Sequence, residues 1–187
     1  NLNMKNIIVV TGGAGFIGSN LIELLLRRTK YNIISIDNYS SGKKRNHIRN
    51  KRVKYLNFHT KEIYNKLKKI NKKIIVIFHF GEFSRIYRSF EMVSKCLESN
   101  IVGTNEVLKF CRDFKIKIIY SATSASLGNN GEDQHLSPYA WSKAKNLDLI
   151  LEDSGLIEID LEILNKLEKP KFQVKNPVLK AKVYTGF

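Results

Sequence analysis

An apolar run, Ile7-Ile8-Val9-Val10, leads through TGGAGFIGSN (residues 11–20) into a leucine-rich stretch from Leu21 to Leu26. Three glycines, Gly12, Gly15 and Gly18, stand at strict three-residue intervals in that turn. A strand that ends at Thr11 and must turn at once into a helix needs a residue without a Cβ at Gly12. Gly15 then lets the backbone approach a pyrophosphate, and Gly18 lets the new helix pack tightly on the sheet. The helix start offers free N–H groups and a positive dipole end to the phosphates. The spacing alone is a weak signal, and its strand–turn–helix setting is what gives it weight.

A dinucleotide site of this kind calls for an acid about 20 residues further on, at the end of a second strand. The segment YNIISID (residues 31–37) is β-rich and ends in Asp37. A carboxylate there accepts both ribose hydroxyls of an adenosine and repels a 2′-phosphate, so NAD is expected over NADP.

Beyond this unit, strand-like and helix-like patterns alternate. Strands are expected near 6–11, 32–37, 53–58, 73–80 and 115–121, and helices near 16–29, 60–70, 88–111 and 138–153. The near-continuous apolar runs IIVIFHF and IKIIYS suit strands covered on both faces. The fold class is therefore α/β, a Rossmann-type doubly wound parallel sheet in three α/β/α layers. One NAD-binding domain is expected over residues 4–153, starting at Met4, with an atypical short tail over 154–187. The polar, basic segment 38–52 is expected to loop around the adenosine end of the cofactor.

Cys96 and Cys111 have no metal-like partner spacing and are expected as buried, reduced thiols. No apolar run reaches the 18 residues of a membrane span, and no leader pattern opens the chain. A cytoplasmic location is expected. The net charge is +15, concentrated in Lys43–Lys54, Lys66–Lys73 and Lys166–Lys182. No nucleic-acid recognition motif accompanies it, so it reads as a lysine-rich solvated surface that helps attract an anionic ligand.

The second constellation is SPYAWSKAKN, residues 137–146. Tyr139 and Lys143 stand four apart and share one face of a helix. An ammonium beside a phenol favours the phenolate and draws its pKa from about 10 toward neutrality. Tyr139 then serves as a general base for a hydroxyl proton while hydride leaves the same carbon.

Taken together, TGGAGFIGSN, DNYSSG (37–42), FHFGEFSRIYRSF (78–90), NIVGTNEVL (100–108), YSATSASLG (120–128) and SPYAWSK (137–143) resemble the extended short-chain dehydrogenase/reductase family. Within it the chain is most similar to NAD-dependent nucleotide-sugar epimerases and dehydratases of the UDP-glucose 4-epimerase type. The resemblance implies that Gly12, Gly15, Phe16 and Ile17 hold the pyrophosphate, that Gly18 also belongs to the cofactor site, and that Asp37 and Asn38 hold the ribose. It implies that Phe80 and Gly81 line the cofactor, that Asn100 braces the active-site helix, and that Thr123 is the catalytic hydroxyl beside Tyr139 and Lys143. Tyr139 and Lys143 would also meet the cofactor, Lys143 through its ribose, and Ser84, Thr123 and Ser124 would meet the substrate. No metal is implied. A homodimer is, through two helices from each subunit near 88–111 and 138–153, with Val93, Leu97, Ile101 and Leu108 as an apolar stripe.

Two departures stand out. Where the family places a Gly-Asp for the adenine amine, this chain has Phe58-His59. Only 44 residues follow Lys143, too few for the family's substrate domain, and the expectation is that substrate recognition is largely missing. The alternating segment 155–165 suits a sixth strand. Dehydratases of the family place an Asp-Glu pair after the catalytic hydroxyl, and Ser124-Ala125 stands there instead. The expected function is therefore epimerisation through a keto intermediate. The alternatives are a dehydratase or oxidase of the same family, or a non-catalytic NAD-binding remnant.

Overall fold

The computed structural model describes residues 6–122 and 136–152. Five strands, β1 (Ile7–Thr11), β2 (Asn32–Asp37), β3 (Val53–Asn57), β4 (Ile74–His79) and β5 (Lys117–Tyr120), form one sheet in the order β3-β2-β1-β4-β5. Every pairing is parallel. β1 is buried at all five positions and alternates its side chains between two cores. Ile7 and Val9 enter one, and Ile8 and Val10 the other.

Helix α1 (Phe16–Arg28) covers the second core with Ile22 and Leu25, against Ile33, Val76 and Phe78. On the opposite face lie α2 (Ile63–Leu67), α5 (Thr104–Phe114) and α6 (Pro138–Glu152), which supply Ile63, Leu67, Val107, Phe110 and Ile150. The three-layer α/β/α arrangement is the one expected. Cys96 and Cys111 are free and buried, also as expected, and burial pushes the Cys111 thiol up to about 12. Among the described residues no helix is long and apolar enough to cross a membrane.

The expected single helix over 88–111 is instead a series. It comprises α3 (Ile86–Glu91), a break at Met92 (φ −125°, ψ 43°), α4 (Val93–Leu97), a π-helical segment (Glu98–Gly103), and α5. The expected helix over 60–70 is likewise α2 flanked by two 3₁₀ segments, Thr60–Glu62 and Lys68–Lys73. A π turn holds an extra residue per turn and redirects the side chains within it. Here it turns Asn100 fully inward. The expected sixth strand over 155–165 lies outside the described residues.

Part of the positive charge belongs to the fold itself. Arg52 donates to the carbonyls of Leu26 (2.5 Å), Thr29 (2.6 Å) and Tyr31 (3.4 Å). Its guanidinium thus sits at the negative end of the α1 dipole.

Candidate active site

The order β3-β2-β1-β4-β5 reverses direction between β1 and β4. Such a switch point opens a crevice outside the carboxyl ends of the strands. A cleft of about 710 Å³ lies there. Its rim begins at the glycine turn. Gly12 has φ +70°, and a Cβ on it would stand 2.6 Å from the Phe80 carbonyl oxygen. A Cβ on Gly18 would stand 2.3 Å from the Gly12 carbonyl oxygen, so these two positions close the turn against β4 and against its own helix. At Gly15, the N-cap of α1, no side chain caps the helix, and no acid stands in the first turn. Phe16 and Ile17, exposed at 82% and 59%, flank these N–H groups at the cleft mouth. A 13-residue helix with an uncapped amino end opening onto a cleft fits a pyrophosphate.

Asp37 ends β2 and faces the same cleft. Its Oδ2 accepts from Ala14 N (2.9 Å) and its Oδ1 from Tyr39 N (2.8 Å). A carboxylate offers about four acceptor positions, so those left after two backbone bonds can take ribose hydroxyls. Asn38 lies beside it and closes an Asx turn onto Ser40 N (3.0 Å). Lys43 and Arg45 line the same end. Phe58 and Thr60 line it as well, whereas His59 turns to another task. Its Nδ1 accepts from Lys61 N (3.1 Å) while Glu62 accepts from His59 N (3.3 Å), a capping box on the 3₁₀ turn. Burial lowers the His59 pKa. His59 does not line the cleft.

At the other end of the cleft stand Tyr139 and Lys143, with Phe80, Gly81 and Ser84. The start of α6 fixes them. Ser137 is its N-cap, accepting from Ala140 N (3.0 Å), and Pro138 fills the first helical position, where no N–H is needed. Tyr139 N donates to Ser89 Oγ (3.3 Å) of α3. Asn100 joins three segments at once. It accepts from Phe83 N (2.6 Å), donates to Phe83 O (3.2 Å) and Ser142 Oγ (3.0 Å), and its carbonyl accepts from Asn146 (2.6 Å). Thr123 and Ser124 lie outside the described residues.

One residue that sequence reasoning passed over sits at the centre. The Glu82 side chain is 5% exposed and that of Lys143 4%, and they form an ion pair. Lys143 Nζ also donates to the Ser121 carbonyl and lies 4.1 Å from the centre of the Tyr120 ring. Glu82 Oε1 accepts from Thr104 Oγ1 (2.9 Å), Tyr120 OH (3.0 Å) and Asn146 Nδ2 (3.1 Å). Burial, followed by the Glu82 charge, raises the Tyr120 pKa and keeps it a phenol. The only hint in the sequence was a carboxylate directly after a strand-end glycine.

A family profile described as the NAD dependent epimerase/dehydratase family matches residues 8–152. The ADP-L-glycero-D-manno-heptose-6-epimerase of Brachyspira hyodysenteriae is 34% identical over 73% of this chain and 45% of its own length. Among solved structures, the UDP-glucose 4-epimerase of Thermus thermophilus in complex with NAD superposes with a TM-score of 0.67. It is 25% identical over 80% of this chain and 52% of its own. The UDP-glucose 4-epimerase of Thermotoga maritima with UDP-glucose gives a TM-score of 0.68 at 26% identity, over 80% of this chain and 52% of its own. The chain thus spans about half the length of the proteins it matches.

Proposed function

This chain belongs to the NAD dependent epimerase/dehydratase family, and on that premise we propose that it carries the cofactor site and the acid–base pair of a nucleotide-sugar epimerase. The observation that carries the reading is one cleft lined both by the uncapped start of α1 with Asp37 and by Tyr139 with Lys143. The first pair suits a dinucleotide and the second suits proton removal from a carbon-bound hydroxyl.

In this reading the N–H groups at Gly15, Phe16, Ile17 and Gly18 hold the pyrophosphate. Asp37 and Asn38 hold the adenosine ribose, and Phe80 and Gly81 line the nicotinamide side. Bound NAD supplies a hydride acceptor that can return the hydride to the opposite face of the sugar ring. Tyr139 takes the sugar hydroxyl proton on its phenolic oxygen, and the Lys143 ammonium favours the ionised phenol. Thr123 is assigned a hydrogen bond to the same hydroxyl, and Ser84 and Ser124 contacts to the sugar. Lys43 and Arg45 add positive potential at the cleft and favour capture of anionic ligands. We assign this site to a single NAD-binding domain over residues 4–153.

A homodimer is part of the proposal. Phe90, Val93, Val102, Trp141 and Leu149 are exposed on the π-interrupted helix series and on α6, at 40–57%. They form the apolar face two subunits would share, whereas Leu108 of the expected stripe belongs to the core.

The test is a calorimetric titration with NAD, followed by incubation with ADP-, UDP- and dTDP-linked sugars and product separation. NAD binding with sugar inversion supports the full reading. Binding without any turnover supports the non-catalytic alternative, and absence of NAD binding refutes both.

A further inference from the structure

A chain of hydrogen bonds leads from Thr11 through His79 and Thr104 to Glu82. Thr11 Oγ1 receives N–H groups from Phe80 (3.1 Å) and Gly81 (2.9 Å), so its own proton goes to His79 Nδ1 (2.7 Å). His79 is therefore neutral with its proton on Nε2, which it gives to Thr104 Oγ1 (2.9 Å). Thr104 must then pass its hydroxyl proton to Glu82 Oε1. With Tyr120, Asn146 and Lys143 also donating, Glu82 meets four donors and is an acceptor only. That is a carboxylate. The relay ties the ends of β1 and β4 to α5, and Glu82 joins it to β5 and α6.

We infer that Glu82 is a positioning residue for the Tyr139–Lys143 pair: it keeps the Lys143 side chain charged and fixed in the cleft lining that it shares with Tyr139. The inference rests on the acid–base reading proposed above. An ammonium removed from water is costly unless a counter-charge meets it. The one carboxylate found in contact with Lys143 among the described residues is Glu82. Two effects of Glu82 on Tyr139 oppose each other. Its own negative charge disfavours a phenolate, while its hold on Lys143 preserves the cation that favours one. The Glu82–Lys143 contact is direct and almost fully buried, so the second effect dominates.

The test is a pH titration of ¹³Cζ-tyrosine-labelled 187-residue chain by NMR, with Y139F assigning the Tyr139 signal. In the unsubstituted chain Tyr139 should ionise well below the ordinary phenol value. E82Q, nearly the same shape, should move that step up by about one pH unit or more. In a Lys143→Met background the step starts high, and adding E82Q should raise it no further. The double variant removes both buried charges together and is the form best able to fold. An unchanged or lowered step in E82Q overturns the inference. An equal rise in the Lys143→Met background also overturns it, because the effect would not pass through Lys143. A Tyr139 step at the ordinary phenol value in the unsubstituted chain is a different failure: it removes the acid–base reading and the inference with it.

Discussion

His79 ties stability to pH through one buried ring. It is fully buried at the end of β4 between Thr11 and Thr104. Burial pushes its pKa from the ordinary 6.5 down to about 4, against the weaker upward pull of the Glu82 charge. Geometry gives the same direction. Both lone pairs of Thr11 Oγ1 are taken by the Phe80 and Gly81 N–H groups, so a second ring proton on Nδ1 would face no acceptor. Between pH 6.5 and 4 the unfolded chain takes up a proton that the folded chain refuses. Stability is therefore fully present above about 6.5 and falls as the solution is acidified.

For one group with these two values, moving from pH 7 to pH 5 removes about 2 kcal/mol of folding free energy. Urea unfolding followed by circular dichroism at the two pH values measures it, with His79→Gln as the comparison. His59, lowered by burial as well, adds a loss of the same sign that is common to both proteins and cancels. The native chain should lose about 2 kcal/mol more than the variant on acidification. Equal losses would refute the account, as would ¹⁵N shifts showing a doubly protonated His79 ring at pH 5 in folded protein.

Two further outcomes follow from the cleft and a third from the proposed apolar face. Asp37→Ala should weaken NAD binding by about tenfold or more, the loss expected for hydrogen bonds to a charged group. With Lys43 and Arg45 nearby, the NAD:NADP affinity ratio should also fall toward one; calorimetry reads both, and an unchanged ratio would count against Asp37 as the discriminating group. Tyr139→Phe should cut any sugar turnover by about 10²–10⁴-fold while NAD affinity stays within about threefold, since only a proton acceptor is lost; near-native turnover would sink the role of Tyr139. Light scattering should show a dimer that Trp141→Glu drives toward monomer, and a monodisperse monomer of the unsubstituted chain at high concentration would dismiss the shared apolar face.

The sheet was legible because its signals are local. Ile7 to Val10 form an unbroken apolar run, which is what a strand buried on both faces needs, and the two cores divide its residues alternately. Gly12, Gly15 and Gly18 were legible for the same reason, since a tight turn constrains residues a few positions apart. The helix series from Ile86 to Phe114 was not. Its apolar spacing fits one continuous helix, whereas the π segment carries Asn100, whose partners Phe83, Ser142 and Asn146 lie 17, 42 and 46 positions away. Periodicity carries no trace of a side chain that turns inward to serve distant segments.

Glu82 shows the same limit at the site itself. A carboxylate between Gly81 and Phe83 reads as a solvated turn residue, because a lone buried acid is costly and rare. Its burial becomes tolerable only when Thr104, Tyr120, Lys143 and Asn146 arrive from three other elements, up to 64 positions away. Those four are ordinary one by one: a helix Thr, a strand-end Tyr, and a Lys and an Asn three residues apart on α6. Lys143 stands out by its spacing from Tyr139, yet that spacing says only that the two share a helical face, not what holds the charge in place. The two residues assigned the proton transfer lie close in sequence; the group proposed to hold their charge is brought in by the sheet. Substitutions at Glu82 should therefore act on Tyr139 without contact with the sugar, which separates holding the charge from using it.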